Sequence, residues 1–221
     1  MEVVIKNYLS EDYFMSLHVL KHSLVDHHLT ALRDKETNSE QFRHLLQKLS
    51  TIAAIEATRD LAVESHAVET PMAEYQGLRL RRSLGLVPIL RAGLIMVDPI
   101  LNLVPHAEVW HLGLFRDEET ATPVEYYCKI QDANPVDEAL ILDPMLATGG
   151  SASSVIDKLT GWGVKDIRLI SIIGSQAGIE FITTKYGFVK CFLCSVDPYL
   201  DDKKYIVPGL GDAGDRSFKT R

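Results

Sequence analysis

The sequence predicts an α/β protein in which a mostly parallel central sheet is flanked by helices. Short aliphatic runs alternate with amphipathic helical segments along most of the chain. Two of these runs, 84–90 and 140–142, end in polar loops that contain glycine and lead into helices. Parallel strands need crossover connections, which are usually helical and right-handed, so this alternation favours a parallel sheet. The loops that follow its strands should meet at one edge.

Length and charge limit the classes of protein to consider. With 221 residues, we expect a single domain over residues 1–221. The formal net charge of −7 gives no global positive field, so nucleic acid is not an expected partner. The N-terminus lacks the residue order of a signal peptide, and no apolar run is long enough to span a membrane. We therefore expect a cytoplasmic protein with no membrane partner.

The N-terminal part of the chain is predicted to be helical. Residues 1–36 form an irregular helical extension with scattered histidines such as His18. A solvated helix face is favoured over a metal site there, because no carboxylates complete a ligand shell. Thr37 and Glu40 have the spacing of a capping box, which predicts the start of a long amphipathic helix.

Two cysteines near the C-terminal end have the spacing of a zinc or redox pair. Cys191 and Cys194 are three positions apart, but no second pair or suitably spaced histidine follows them. They lie in an apolar run, 188–196, where positions three apart point to opposite faces of a strand. We therefore expect two buried core cysteines on this strand.

The run 84–90 is predicted to be a buried strand that ends at Arg91. Arginine carries a permanent, planar cation that suits phosphoryl oxygens, and Gly93 allows the backbone to approach a ligand closely. Pro99 after Asp98 has the order of an N-cap and a first helical residue, so the helix that follows should kink or restart there.

A third strand is predicted at 109–115, and Arg116 follows it directly. The polar run beyond it and the next strand-like segment indicate an arm over residues 114–130. A mobile arm could close over a site and exclude water from a reactive intermediate. An ordinary hairpin would also need a polar turn here, so both interpretations stay open.

The run 140–151 changes abruptly from a short aliphatic strand into a glycine-bearing turn and then a helix. Gly149 and Gly150 allow successive N–H groups to face a ligand, and the helix adds its positive N-terminal end. Asp143 stands where the strand ends and can accept hydrogen bonds from sugar hydroxyls. No lysine follows the glycines, which disfavours a P-loop. The run alone fits an ordinary strand-to-helix turn equally well.

The last part of the chain continues the alternation, with a strand at 167–173, a helix from about 177 to 186 and the strand 188–196. Glycine and proline are too dense in the tail, residues 205–216, for a terminal helix. A loop of this kind displays backbone donors and acceptors, which suits a small planar ligand. The alternative is a C-terminus without fixed structure.

Three separated segments carry a resemblance to one family. The phosphate-binding segment from Asp143 to Ser151 resembles that of type I phosphoribosyltransferases, in the version found in uracil phosphoribosyltransferases. The segment 87–93 is similar to the pyrophosphate loop of the family, and the tail 205–216 to its uracil-binding flap. The resemblance covers roughly residues 26–218, with the segments in the same order and spacing. It implies the type I phosphoribosyltransferase fold with a β-arm at 114–130, a base-binding flap at 197–218 and a cis bond before Arg91.

The resemblance also implies an activity, the transfer of a phosphoribosyl group from 5-phosphoribosyl 1-diphosphate (PRPP) to uracil, which yields UMP and diphosphate. It implies Mg²⁺ carried by the diphosphate with no direct protein ligand, a homodimer or higher homo-oligomer, and GTP as an effector in some relatives. The implied catalytic residues are Asp143, Arg91, Arg116 and Asp212. The implied PRPP-binding residues are Arg91, Arg116, Asp143, Pro144, Met145, Leu146, Ala147, Thr148, Gly149, Gly150, Ser151 and Asp212. The implied uracil-binding residues are Ile206, Gly211, Asp212 and Ala213.

Two alternatives remain at the level of sequence. One is a pyrimidine-sensing regulator with the same fold, which would need a basic surface that the net charge disfavours. The other is a phosphoribosyltransferase for another base, such as a purine. It is left open because Ser175-Gln176 and Lys203-Lys204 differ from the residues usual in the family. These differences leave the choice of base and the closure of the flap unsettled.

Overall fold

The computed structural model describes residues 16–116, 123–128 and 134–220, and a nine-stranded sheet forms its centre. The strands are β1 (Leu17–Val19), β2 (Val63–Glu69), β3 (Glu74–Leu80), β4 (Leu84–Leu90), β5 (Glu108–Val109), β6 (Leu112–Arg116), β7 (Pro123–Cys128), β8 (Glu138–Leu142), β9 (Met145–Leu146), β10 (Asp166–Ser175), β11 (Lys190–Asp197), β12 (Tyr199–Leu200) and β13 (Ile206–Val207). The helices are α1 (Ser23–Arg33), α2 (Ser39–Ala57), a 3₁₀ turn (Ala92–Met96), α3 (Val97–Leu101), α4 (Gly150–Trp162), α5 (Gln176–Lys185) and α6 (Ala213–Phe218).

The sheet is parallel except at one edge, as the alternation of elements predicts. Its strand order is β1-β11-β10-β8-β4-β6-β7, with β5 beside β4 and β9 beside β10. Only β6 and β7 run antiparallel among the described strands of this sheet. After β4 the chain moves outward to β6, and after β8 it moves outward on the other side to β10. The loops after β4 and β8 therefore diverge at a topological switch point, where ligands bind in open α/β sheets.

Two hydrophobic clusters cover the two faces of the sheet. One face packs against α1, α2, α3 and the start of α6, and the other packs against α4 and α5. Alternate residues along β8 divide between them, because successive side chains of a strand point to opposite faces: Leu140 and Leu142 join the first cluster, and Ala139 and Ile141 the second.

The cysteine prediction is confirmed by this division. Cys191 is buried in the α4–α5 cluster and Cys194 in the α1–α2 cluster. Burial raises the pKa of each thiol to about 12, so both are neutral and unreactive at physiological pH.

The N-terminal prediction is partly wrong. Leu17–Val19 is not helical but forms the edge strand β1, which pairs with β11. The His18 ring therefore stacks on Phe192 of β11, with ring centroids 4.6 Å apart, and does not lie on a helix face. Edge pairing with a hydrophobic strand outweighs the weak helical preference of so short a segment. Residues 1–15 of the predicted extension lie outside the described residues.

Other local predictions are corrected at the helix ends. The cap of α2 is Asn38, whose side chain accepts a hydrogen bond from the Gln41 N–H at 3.0 Å, whereas the Thr37 hydroxyl turns back to Ala31 O. The restart predicted at Pro99 occurs two residues earlier, at Val97, where the 3₁₀ turn gives way to α3. The tail does contain a terminal helix, α6, and its first turn is capped by the Asp212 side chain.

The strands β2 and β3 form a hairpin that stands apart from the main sheet. Each of these strands has the other as its main contact among the described elements. One face of the hairpin carries the exposed apolar side chains of Val63, Leu78 and Leu80. An isolated two-stranded hairpin of this kind is marginally stable in water.

The amino-terminal edge of the sheet is held by a buried ionic network around Arg168 on β10. Its Nη2 lies 3.0 Å from Glu138 Oε2, and its Nη1 donates to Ala57 O at 2.5 Å and to Asp60. Hydrogen bonds from Lys190 first, and then Arg168, lower the pKa of Asp60 to about 2. The network ties the end of α2 to three adjacent strands.

No helix among the residues placed by the structure has the length and apolar character needed to cross a lipid bilayer.

We predict that Arg168→Met lowers the free energy of unfolding by about 3–5 kcal/mol, because the buried Glu138 carboxylate loses its closer partner and keeps only the half-exposed Arg82, whose Nη1 lies 3.5 Å from Glu138 Oε1. Urea unfolding followed by circular dichroism measures the change. Arg59→Met, which breaks the exposed pair with Glu56, is the control and should leave the midpoint unchanged. The double variant Arg168→Met/Glu138→Leu should recover most of the loss. Equal midpoints for Arg168→Met and the control contradict this role.

Candidate functional site

The loops after β4 and β8 meet at the switch point. Leu142, the last residue of β8, pairs with Pro88 of β4, so Asp143 and Arg91 both follow at the same edge. A side chain on Gly93 would collide with Leu142 O, so the glycine is required for this close approach. The peptide bond between Leu90 and Arg91 is cis, as the family resemblance implies. The structure thus brings two of the three predicted segments together.

The segment after β8 is fixed at its start by β10. Pro144 O accepts hydrogen bonds from the N–H groups of Ile172 and Ile173, at 3.0 and 3.1 Å, and Met145–Leu146 forms the short strand β9 beside β10. Gly149 then takes a left-handed conformation, with φ of 82°, immediately before α4 begins. A helix of this length presents its N–H groups and the positive end of its dipole to the loop, which favours an anion.

The residues at the start of α5 contact this loop and hold it in place. The Ser175 hydroxyl donates to Ala147 O at 2.5 Å and accepts from Gly178 N–H at 2.9 Å. Gly178 is in direct contact with Ala147 O, and a side chain at Gly149 would meet Phe181 at 2.8 Å. The Ser175-Gln176 difference from the family therefore leaves both a helix cap and a support for the loop in place.

Asp143 lies partly buried at the base of this loop. Its Oδ1 accepts a hydrogen bond from the Met145 N–H at 3.2 Å. Desolvation raises the pKa of Asp143 to about 7, and the single hydrogen bond acts in the opposite direction without offsetting it. A perturbed carboxyl at a switch point marks a site in which a further polar group stabilises the charged form.

The Arg91 side chain reaches across to the C-terminal segment. Its Nη2 lies 3.1 Å from Asp215 Oδ1, and its Nη1 lies 3.3 Å from Thr220 Oγ1. Asp215 is on α6, whose cap is Asp212: the Asp212 Oδ1 accepts from the Asp215 N–H at 2.8 Å. The pyrophosphate-loop segment and the tail are therefore in direct contact, and the third predicted segment joins the other two.

The remaining tail residues lie on a bent segment between β13 and α6. Ile206 and Ala213 are buried in the α1–α2 cluster, whereas Gly211 takes a φ of 78° and packs on the Arg216 side chain. The bond between Val207 and Pro208 is cis. These residues present backbone groups near Asp212, as a planar ligand would require.

Some predicted residues are described only in part. Arg116 ends β6, which pairs with β7, but its side chain lies outside the described part of the chain. Residues 117–122 and 129–133 also lie outside the described part of the chain. The mobility of the predicted arm at 114–130 therefore stays a prediction.

Three residues that sequence analysis did not assign also belong to this edge. Ser175 supports the phosphate-binding segment, Asp215 pairs with Arg91, and Arg216 spans from α6 to the turn after α1, with its Nη1 2.9 Å from Leu32 O. The spacing of Asp212 and Asp215 is that of an acidic N-cap followed by an acidic first turn, which could have indicated α6. Ser175 directly precedes the helix α5 and has the residue type of a cap. No sequence signal connects Arg216 to residues so distant along the chain.

The side chains here offer oxygen donors. Asp143 and Asp212 provide carboxylates, the ligand type preferred by Mg²⁺, which usually keeps several waters and binds through substrate phosphates. Within residues 16–111 and 134–220, no group of three or more His, Cys, Asp or Glu side chains could hold a metal ion. Asp143 and Asp212 are of the chemical type that can face a hydrated Mg²⁺ ion.

Comparisons with known proteins agree with this geometry. A family model described as uracil phosphoribosyltransferase matches residues 19–220. The uracil phosphoribosyltransferase of Roseiflexus sp. (strain RS-1) is 48% identical over 202 residues, covering 91% of this chain and 97% of that protein. That of Geobacillus kaustophilus (strain HTA426) is 44% identical over 206 residues, covering 93% and 99%. Among solved structures, the AQ2163 protein from Aquifex aeolicus superposes with a TM-score of 0.88 at 34% identity, covering 92% of this chain and 98% of that chain.

We predict that Asp143→Asn stabilises the protein at pH 8. The folded-state pKa of about 7 exceeds the usual value of 3.8, so the charged carboxylate costs stability above pH 7, and this cost disappears as the pH falls below about 4. Asparagine removes the charge and keeps an acceptor for the Met145 N–H. The midpoint of thermal unfolding should rise by about 2–4 °C for each kcal/mol recovered at pH 8, and be unchanged at pH 4.

Asp137→Asn is the matched control. The Ser83 N–H and hydroxyl each lie 2.9 Å from Asp137 Oδ2 and lower the pKa of Asp137, so its charged form stabilises the fold. Its loss should lower the midpoint at pH 8. Two variants that shift the midpoint in the same direction contradict the assignment of Asp143 as a strained carboxylate.

Proposed function

The chain belongs to the uracil phosphoribosyltransferase family, and we propose a role for each residue at the carboxyl edge of its sheet on that basis. The protein is a pentosyltransferase that converts uracil and PRPP to UMP and diphosphate. The observation that carries the proposal is the meeting of three separated segments at one switch point, with the N-terminus of α4, the Arg91 loop and the tail facing one another.

The segment from Ala147 to Ser151 holds the 5-phosphate of the sugar. Its glycines and the N-terminal end of α4 supply N–H donors, and the hydroxyls of Thr148 and Ser151 add two more. The segment from Pro144 to Leu146 places these donors, because it is bonded to β10. The Ser175 hydroxyl supports this segment through its hydrogen bond to Ala147 O. Such a preorganised anion site orients the sugar without further ordering.

Asp143 receives the hydroxyls of the ribose. The Asp143 carboxylate is short of hydrogen-bond donors, and two sugar hydroxyls would stabilise its charged form. Binding should therefore lower its pKa. In the reaction the bond from the anomeric carbon to diphosphate breaks, and the bond to N1 of uracil forms. The positive charge that develops on the ribose is stabilised by a carboxylate beside it.

Arg91 and Arg116 offset the charge that grows on the leaving diphosphate. The Arg91 guanidinium is paired with Asp215, so diphosphate competes with a carboxylate for a planar cation that is already placed. Arg116 is the last residue of β6, the strand next to β4, which puts its backbone on the same side of the switch point. Ile206, Gly211 and Ala213 read the edge of uracil through backbone atoms, and Asp212 faces the sugar.

Mg²⁺ is carried to the site by the diphosphate, with Asp212 as a candidate contact through water. When bound, the ion supplies positive charge to the diphosphate oxygens. The residues of the chain orient the substrates and exclude water from the site. Control by GTP is a further part of this proposal and rests on the family resemblance alone. A location in the cytoplasm is another part, and it rests on the sequence pattern.

The activity is tested with radiolabelled uracil, PRPP and Mg²⁺. Wild-type protein should form UMP, Asp143→Asn should lower kcat/KM by about a hundredfold, since two hydrogen bonds to a charged group are weakened, and Asp137→Asn should retain it. Chelation of Mg²⁺ should stop the reaction reversibly, and GTP added to the same assay tests regulation. A purine used in preference to uracil contradicts the assignment of the base. Binding of PRPP without reaction of any base favours a regulator.

We also propose that two copies of the chain associate through the β2–β3 hairpin. Val63, Leu78 and Leu80 project from one face, and Leu78 is 72% exposed. The opposite face is polar in part, since Arg79 and Glu64 form an ion pair with Nη2 and Oε1 2.7 Å apart. A second hairpin of the same kind would cover the apolar face and supply what a lone hairpin lacks.

Leu78→Glu should therefore convert a dimer into a monomer, because it places a charge at the centre of the buried face. Sedimentation velocity measures the change. Val68→Glu, on the other face of the same hairpin, is the control and should remain dimeric. A wild-type protein that sediments as a monomer, or two variants that behave alike, contradicts the proposal.

A further inference from the structure

One glycine of the tail is held through both of its backbone polar groups by an ion pair. Gly209 O accepts from Arg33 Nη1 at 2.7 Å, and Gly209 N–H donates to Asp197 Oδ2 at 2.8 Å. The same Arg33 Nη1 lies 2.7 Å from Asp197 Oδ2. Gly209 is therefore enclosed between a side chain of α1 and a side chain at the end of β11.

The ion pair has the geometry of a strong one. Arg33 Nη2 lies 2.6 Å from Asp197 Oδ1 and 3.1 Å from Ser195 Oγ, so the planar fork of the arginine meets both oxygens of the carboxylate. The Asp197 side chain is 3% exposed and that of Arg33 22%. Loss of either charge leaves the other buried without its partner, which is costly.

The position that this pair fixes lies between the backbone groups assigned to uracil. Gly209 has a φ of 61°, and a side chain there would collide with Ile206 O. Gly209 stands between Ile206 and Gly211 in the chain, so the ion pair that holds Gly209 also holds the backbone between these two groups. A second arginine acts beside it, since Arg216 Nη1 lies 2.7 Å from Leu210 O.

We infer that Arg33 and Asp197 are positioning residues for base selectivity. They fix the backbone that recognises the base, and within the described part of the chain their hydrogen bonds reach neither the segment from Asp143 to Ser151 nor the Arg91 loop. The pair therefore controls how uracil binds, and leaves the binding of PRPP as it is. This inference rests on the proposed role of the tail in binding uracil.

The test compares Arg33→Lys with Arg43→Lys. Lysine keeps the charge of Arg33 but cannot bond Gly209 O and both Asp197 oxygens in one plane. Arg43 is a matched control, because it also contacts the C-terminal segment, through Ser217 O at 2.7 Å, but does not touch Gly209. Arg33→Lys should raise the KM for uracil by about tenfold to a hundredfold and narrow the preference for uracil over cytosine. The Kd for PRPP, measured by calorimetry, should stay within about twofold, and Arg43→Lys should match wild type in all of these.

Asp197→Asn should act in the same direction, and Ser195→Ala, which removes the bonds of one hydroxyl to Arg33 and Asp197, should raise the KM for uracil by about twofold to tenfold. If Arg33→Lys does not fold, Ser195→Ala decides, and an unchanged KM for uracil in that variant overturns the inference. A fall in kcat with both KM values unchanged, or equal rises in the two, also overturns it. Failure of the proposed function is a separate result, because it appears as the absence of UMP formation in wild-type protein.

Discussion

The close contact between Gly93 and Leu142 O is the constraint on which the site depends. It fixes the distance between the loops that leave β4 and β8, and these two strands are the ones from which the chain departs in opposite directions. Any side chain at this glycine would push the loops apart. Arg91 and Asp143 are carried on either side of the contact, so their relative position follows from the backbone before any ligand contributes.

Much of the fold was predictable because buried parallel strands have continuous aliphatic runs. The runs 84–90 and 140–142 became β4 and β8, and the opposite-face argument for Cys191 and Cys194 is confirmed by the two clusters. The edge strand β1 was not predictable, because three residues carry too little pattern and their pairing with β11 is decided by tertiary contact. The helix α6 was missed for a related reason: its capping aspartate outweighs the glycine that follows it.

The candidate site was predicted as three separate segments but not as a connected structure. Short-range pattern identifies a glycine-bearing loop and a strand-ending arginine, since their chemistry is local. It does not identify Ser175 beneath the loop, Asp215 opposite Arg91, or Arg33 against Gly209, because these bonds join residues far apart in sequence. The residues that support this site are thus determined by the topology of the fold. The residues that face the substrate can be identified from the local sequence.

The length of β10 has a consequence for how the protein opens in its native state. Ten residues long, it pairs with β8 along its first half and with β9 and Pro144 along its second, while β11 pairs along its other side. The start of the phosphate-binding segment is therefore part of the sheet, and the amides of Ile172 and Ile173 that donate to it become accessible to hydrogen exchange only when the core itself unfolds. The base-binding tail is held differently, by side-chain bonds to α1 and by the burial of Ile206 and Ala213 in the α1–α2 cluster. One enzyme site is in this way divided between a segment bonded into the sheet and a segment held by side chains.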